Sequence, residues 1–226
     1  MAKQTISIYG RQMERPLDVI AATNDELYRS LDGKTFVSLS YGVFDTQTRL
    51  LRFCRAGQNK PFLMNTRWQN PEPQMVESRG LALGVGKGDR FARATEEIEI
   101  ALEPGDLFFQ YTDGLVEATN KEKEQYGEDR LRDVLKRYAR TPCKELVEII
   151  TESLLDFSRS REQEDDISIV ALKVKDPQAM TMTGTFPLPQ AGNPPRGTPP
   201  PGSLPNAPNT PQGGVPPPGG MPPWMK

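Results

Sequence analysis

The chain has 226 residues, 26% of them charged, with 28 Lys and Arg against 30 Asp and Glu and a formal net charge of −2. The charges are mixed and form no basic stripe, which argues against a nucleic-acid partner; no apolar run reaches the roughly 18–20 residues that span a bilayer, and "MAKQTISIYGRQMERP" holds no signal-peptide core, so a cytoplasmic chain with no membrane association is expected. Histidine is absent, which removes the usual general base, the commonest zinc ligand and every Ser-His-Asp arrangement, and leaves carboxylates, hydroxyls, Lys, Arg or a metal to carry any chemistry.

Residues 16–31, "PLDVIAATNDELYRSL", read as a helix. Pro16 suits the first turn, and Leu17, Ile20, Leu27 and Leu31 keep helical spacing. Residues 35–44, "TFVSLSYGVF", alternate as a strand does, with Val37, Leu39, Tyr41 and Val43 on one face. "DTQT" turns the chain and "RLLRFCRA" returns, so a β-hairpin is expected over 35–56. Cys54 in that run reads as a reduced core cysteine, since Cys54 and Cys143 are too few for a disulfide framework or a zinc cage. "FLM" is a short third strand, and residues 65–90 read as loop. "GLALGVGKGD" lacks the spacing of a nucleotide loop, because Gly86-Lys87 precedes Gly88 and not Ser or Thr.

"EIEIAL" and "LFFQYT" follow as strands either side of the turn "EPGD". "GEDRLRDVLKRYA" carries Leu131, Val134, Leu135 and Tyr138 at helical spacing, and "PCKELVEIITESLLDF" carries Leu146, Ile149, Ile150 and Leu154. "DDISIVALKV" reads as a continuous apolar strand, buried on both faces. Consecutive strands on short turns predict antiparallel sheets or a sandwich with helices packed on it. Beyond residue 176 the composition changes: 16 of the chain's 22 prolines fall in 177–226 with only Arg196 and Lys226 as charges, so the stretch is expected to stay disordered. It reads either as a solvated tail or as a polyproline ligand for an aromatic-lined groove of a binding partner.

Two groups of carboxylates stand at strand ends. In "FFQYTDGLVEA" Asp113 closes an apolar strand and Gly114 follows; a tight turn or a metal site would each account for the pair. In "REQEDDISIV" Glu162, Glu164, Asp165 and Asp166 precede the last strand. If the two strands are antiparallel neighbours, Asp113 and Asp165 share one edge of the sheet. Two carboxylates brought close repel unless one is protonated, and a divalent cation removes that conflict. Oxygen-only ligands favour Mg²⁺ or Mn²⁺ over zinc or copper.

Several fragments in register carry a resemblance. "RPLDVIAATNDELYRSL", the hairpin running into "RAGQNKPFL", "GLALGV", "LEPGDLFFQYTDGLVEATN", "YGEDRL" and "EDDISIVALKV" together make residues 16–175 resemble the C-terminal two-thirds of the PPM-type metal-dependent protein phosphatases, in their SpoIIE/RsbU branch. The resemblance implies an α+β fold, a β-sandwich of antiparallel sheets flanked by helices. It implies Asp113 and Asp165 as metal ligands for Mg²⁺ or Mn²⁺, with Gly114, Asp166, Gln58 and Asn59 in the supporting turns. The implied chemistry is hydrolysis of phosphoserine or phosphothreonine by a metal-bound water, with no catalytic side chain beyond it and no phospho-enzyme. The implied substrate is a phosphorylated regulatory protein of the anti-anti-sigma type.

The chain departs from the family pattern at two places. The early Gly-Asp motif, whose aspartate bridges two metals, has no counterpart, since Gly88-Asp89 and Gly105-Asp106 stand in the wrong order and context. The family's histidine in the Ala-Gly-His-Asn turn is Gln58, which hydrogen-bonds but does not titrate near neutrality. The expectation is therefore a phosphatase domain over 1–175, truncated at its N-terminus, followed by a disordered tail over 176–226. Its alternatives are a degenerate module that binds a phosphoprotein without hydrolysing it, or an inactive fragment.

Overall fold

The computed structural model describes residues 1–33, 35–159 and 165–175. The tail beyond 175, and Glu162 and Glu164, lie outside the described residues. In chain order the elements are α1 (Ala2–Tyr9), α2 (Pro16–Ser30), β1 (Leu39–Asp45), β2 (Leu50–Ala56), β3 (Phe62–Asn65), β4 (Gln74–Met75), α3 (Asp89–Ala94), β5 (Glu97–Ala101), β6 (Asp106–Tyr111), α4 (Asp113–Val116), α5 (Gly127–Arg137), α6 (Cys143–Ser158) and β7 (Ile169–Lys173). They build two sheets, β1-β2-β5 and β4-β3-β6-β7. Every pairing within them is antiparallel.

Strand alternation divides the apolar residues among three layers of core. Leu51, Phe53 and Ile100 of the first sheet meet Leu63 and Phe108 of the second, filling the space between sheets. The other face of β2 carries Cys54 and Ala56 against Ile20 and Leu27 of α2. The other face of the second sheet carries Phe62, Leu107, Phe109 and Tyr111 against Leu131 and Leu135 of α5 and Leu146, Ile150 and Leu154 of α6. The result is the α+β sandwich flanked by helices that the sequence led one to expect. Burying each such aliphatic or phenyl side chain stabilises the fold by about 1.5–3 kcal/mol. Cys54 is a free, buried thiol, and burial pushes its pKa up to about 12.

The helices form where charge and periodicity agree. α2 has Pro16 in its first turn, Asp18 near its N-terminus and Arg29 near its C-terminus. α5 begins on Glu128 and Asp129 and ends on Lys136 and Arg137, the same complement to the helix dipole. Asn24 on α2 is fully buried although polar. Its amide accepts from the Gly84 N–H at 3.0 Å and donates to the Gly86 carbonyl at 2.8 Å, tying the glycine-rich loop to the helix.

Three expectations need correction. The hairpin begins at Leu39 and not at residue 35, because β2 ends at Ala56, the partner of Leu39, leaving nothing on β2 to pair with 35–38. Val37 bridges to Leu83 instead. The stretch read as loop over 65–90 contains the short β4 and runs into α3, whose Phe91 is buried. Most telling, β7 is not buried on both faces: among the described residues it is an edge strand paired to β6 alone, and Val170 is 61% exposed. Val170 lies opposite Gln110 on the side facing the other sheet. β1, the outermost strand of that sheet, reaches only as far as β6, where the Ser40 hydroxyl donates to Gln110 Oε1 at 3.3 Å. Among the described residues the first sheet has three strands against four, and Val170 stays exposed. No helix among the described residues is long and apolar enough to cross a membrane.

Candidate functional site

The site is built at one end of the four-stranded sheet. β6 runs out at Tyr111, with β3 on one side (Phe62 opposite Phe109) and β7 on the other (Ile169 opposite Tyr111). Because both neighbours are antiparallel, the end of β6 meets the beginnings of β3 and β7. The turn before β3, the Asp113-Gly114 pair and residues 165–168 therefore share that end. Gln110 joins the first two: its Nε2 donates to the Asn59 carbonyl at 2.9 Å.

Asp113 and Asp165 are both exposed. Each accepts the amide of the next residue through Oδ1, Gly114 N–H at 3.0 Å and Asp166 N–H at 2.8 Å, so each carboxylate is steadied by its own backbone. The segments that carry them abut: a Cβ on Gly114 would stand 2.7 Å from the Asp166 carbonyl oxygen and 3.2 Å from that of Asp165. This changes the reason for the glycine. Gly114 does not make a sharp turn; it lies inside the short helix α4. What it provides is the absence of a side chain where two backbones touch.

Gly114→Ala is accordingly expected to push the 165–166 backbone away from Asp113 and to cost about 1–3 kcal/mol as an overpacked contact. Thermal unfolding checks this, and an unchanged melting temperature would show that the segment yields freely.

The turn at 57–60 contributes through its backbone more than its side chains. The Gln58 carbonyl accepts from Arg55 Nη1 at 2.6 Å, and Gln58 Oε1 accepts from the Asn59 N–H at 3.3 Å, within the turn itself. Asp166 uses its carbonyl, which accepts from the Thr112 hydroxyl at 3.1 Å. Thr112, Gln110 and Arg55 were not singled out from the sequence. For Thr112 the available signal was a hydroxyl residue directly before Asp-Gly. Beneath the site Tyr111 is buried and its hydroxyl donates to Glu128 Oε1 at 3.2 Å. Burial, then the Glu128 charge, raise its pKa, so it stays a neutral donor. Lys173, at the far end of β7, donates to the carbonyls of Ala139 and Thr141 at 2.8 and 2.6 Å, and burial lowers its pKa.

The donor set sets a limit on what the site can hold. Asp113 and Asp165 offer carboxylate oxygen only, the chemistry of a hard cation, and Mg²⁺ characteristically binds through one or two carboxylates while keeping water and taking substrate phosphate. Among the described residues no group of three or more His, Cys, Asp or Glu could hold a metal. Among the described residues, the two carboxylates match the donor chemistry of one hydrated cation and supply too few ligands for a two-metal pair.

The family model for stage II sporulation protein E, SpoIIE, matches residues 1–175. The chain belongs to the SpoIIE family. That family comprises PP2C-type protein serine/threonine phosphatases, and the sandwich is its fold. Protein IcfG of Synechocystis sp. (strain ATCC 27184 / PCC 6803 / Kazusa) is 28% identical over 158 residues, 69% of this chain. The chain spans only 24% of the length of IcfG. Among solved structures, the SiaA-PP2C domain of Pseudomonas aeruginosa superposes with a TM-score of 0.64 at 23% identity, over 77% of this chain and 68% of that one. The RsbU and RsbW domains of Rv1364c from Mycobacterium tuberculosis give 0.62 at 20% identity, over 77% of this chain and 46% of that one. At these identities the structural likeness speaks for the SpoIIE-family fold.

Proposed function

We propose that the chain is a metal-dependent phosphatase domain acting in the cytoplasm on phosphoserine or phosphothreonine of a regulatory protein, with an anti-anti-sigma-type regulator as the substrate class. The observation that carries this reading is the abutment of the Asp113 and Asp165 segments at one sheet end within a SpoIIE-family frame. Asp113 and Asp165 would hold a single Mg²⁺ or Mn²⁺. When bound, such an ion supplies Lewis-acid activation of water and of a phosphoryl oxygen. The chain's own part is positional: Gly114 allows the two segments to close, the Oδ1 contacts orient both carboxylates, and Gln110 fixes the neighbouring turn. No imidazole is available to move a proton, since the chain has no histidine.

The test is phosphate release from a phosphoserine peptide with added Mn²⁺, compared with the same protein after chelation. A weak, Mn²⁺-dependent rate that chelation removes is expected; a rate indifferent to chelation would sink the proposal. Two observations on the described residues favour a second reading, the two-carboxylate limit and the exposed Val170. In it the domain docks a phosphoprotein without hydrolysing it. Saturable phosphopeptide binding with no phosphate release, Mn²⁺ present, would select that reading.

A further inference from the structure

Thr112 does something that neither neighbour in the Asp-Gly motif does. It is the last extended residue of the β6 segment (φ −91°, ψ 159°) and stands opposite Ser168 in the antiparallel register that continues from Tyr111 and Ile169. Such a pair ordinarily exchanges two backbone hydrogen bonds. The first is present: the Thr112 N–H donates to the Ser168 carbonyl at 3.1 Å. The second is not made to the backbone. The Thr112 carbonyl is taken by the Leu115 N–H at 3.1 Å, which starts α4. The Ser168 N–H donates instead to the Thr112 hydroxyl oxygen at 2.8 Å. The same hydroxyl donates its proton to the Asp166 carbonyl at 3.1 Å.

One side chain thus lets the backbone leave the strand for a helix while the ladder to the last strand continues. Asp113 sits where the chain turns into the helix, and Asp165 and Asp166 sit on the segment leading into β7 that would otherwise come loose. We propose that Thr112 is the positioning residue that holds the Asp165 segment against Asp113, and so sets the spacing of the two carboxylates for a cation. The inference rests on the metal-site reading above. A hydroxyl is required because the position must accept from one residue and donate to another; serine meets that need, and valine, of the same shape, does not.

The experiment uses the full chain as Thr112→Val, Thr112→Ser and Asp113→Asn, with Thr112→Ala in reserve should valine impair folding. Hydrogen exchange of the Ser168 amide is followed by NMR in metal-free protein, and Mn²⁺ affinity is followed by calorimetry. Thr112→Val is expected to speed Ser168 exchange while the amides within β7 keep their protection, and to weaken Mn²⁺ about tenfold, the scale of losing a partner that orients a metal ligand. Thr112→Ser should restore both. Slow Ser168 exchange in the valine variant, or equal loss of Mn²⁺ affinity in the valine and serine variants, overturns the inference. Asp113→Asn separates the two ideas. Unchanged Mn²⁺ affinity there overturns the metal reading and the positioning role with it; lowered affinity there beside an unaltered Thr112→Val overturns the positioning role alone.

Discussion

Asp113→Asn and Asp165→Asn are each expected to remove Mn²⁺-dependent turnover of p-nitrophenyl phosphate, by about 10³-fold if a cation's Lewis-acid contribution is several kcal/mol. The substitution is chosen because it changes charge and little else. An asparagine side-chain oxygen still accepts the Gly114 or Asp166 amide that the aspartate Oδ1 accepts now. Both residues are exposed at the sheet end and belong to none of the apolar clusters, so melting temperatures should stay within a degree or two of wild type. Loss of activity without loss of stability locates the effect in the site. Asp18→Asn, in the first turn of α2, which packs on the other sheet, should leave turnover unaltered. Turnover that survives either ligand substitution would mean that other residues build the site.

Gly80→Ala is expected to be the most damaging small substitution in the frame. A Cβ there would stand 1.4 Å from the Arg55 carbonyl oxygen and 2.5 Å from its carbon. No side-chain rotation relieves that overlap, because both atoms are backbone of β2, a strand paired on both sides. The loop must move outward, which strains the Gly57 N–H to Gly80 carbonyl bond of 3.2 Å and the contacts of the Arg55 guanidinium with Ser78. Ser78 is itself buried. A loss of about 3 kcal/mol or more follows, at the upper end of overpacking effects, which for a domain of this size lowers the melting temperature by roughly 6–12 °C. Gly33→Ala provides the contrast. Gly33 has φ +76° with nothing within 4 Å of its Cβ position, so only the left-handed backbone opposes the change and about 1–2 kcal/mol is expected. Equal losses at the two positions would show that close approach at Gly80 is not the governing cause.

The elements whose signals are local were legible from residue order. α2, α5 and α6 each bury one stripe at helical spacing, and β2 and β6 alternate between two cores, so each pattern repeats within a dozen residues or so. Asn24 shows where such reading fails. On a helical wheel it is a polar residue like Asn or Asp elsewhere on a surface, yet it is fully buried because its amide binds loop residues about 60 positions away. β7 fails in the opposite direction. "ISIVALKV" has the composition of a strand covered on both faces, but coverage depends on how many strands the opposing sheet contributes, and among the described residues three face four. The Asp-Gly pair was readable as the end of a strand. That Gly114 serves a backbone contact with 165–166, and that Thr112 holds both sides together, depends on which strand lies beside β6.

Residue order alone determined that the proposed site has no imidazole, because composition excludes what the chain does not contain. It also determined the α+β class and the family frame, because those rest on periodicity and on motifs whose members lie within a few residues of each other. Only the tertiary structure decided that Asp113 and Asp165 belong to one sheet end, since about fifty residues and two helices separate them and nothing local links the two segments. Antiparallel pairing of β6 with β7 does link them, by setting the exit of one strand beside the entrance of the other.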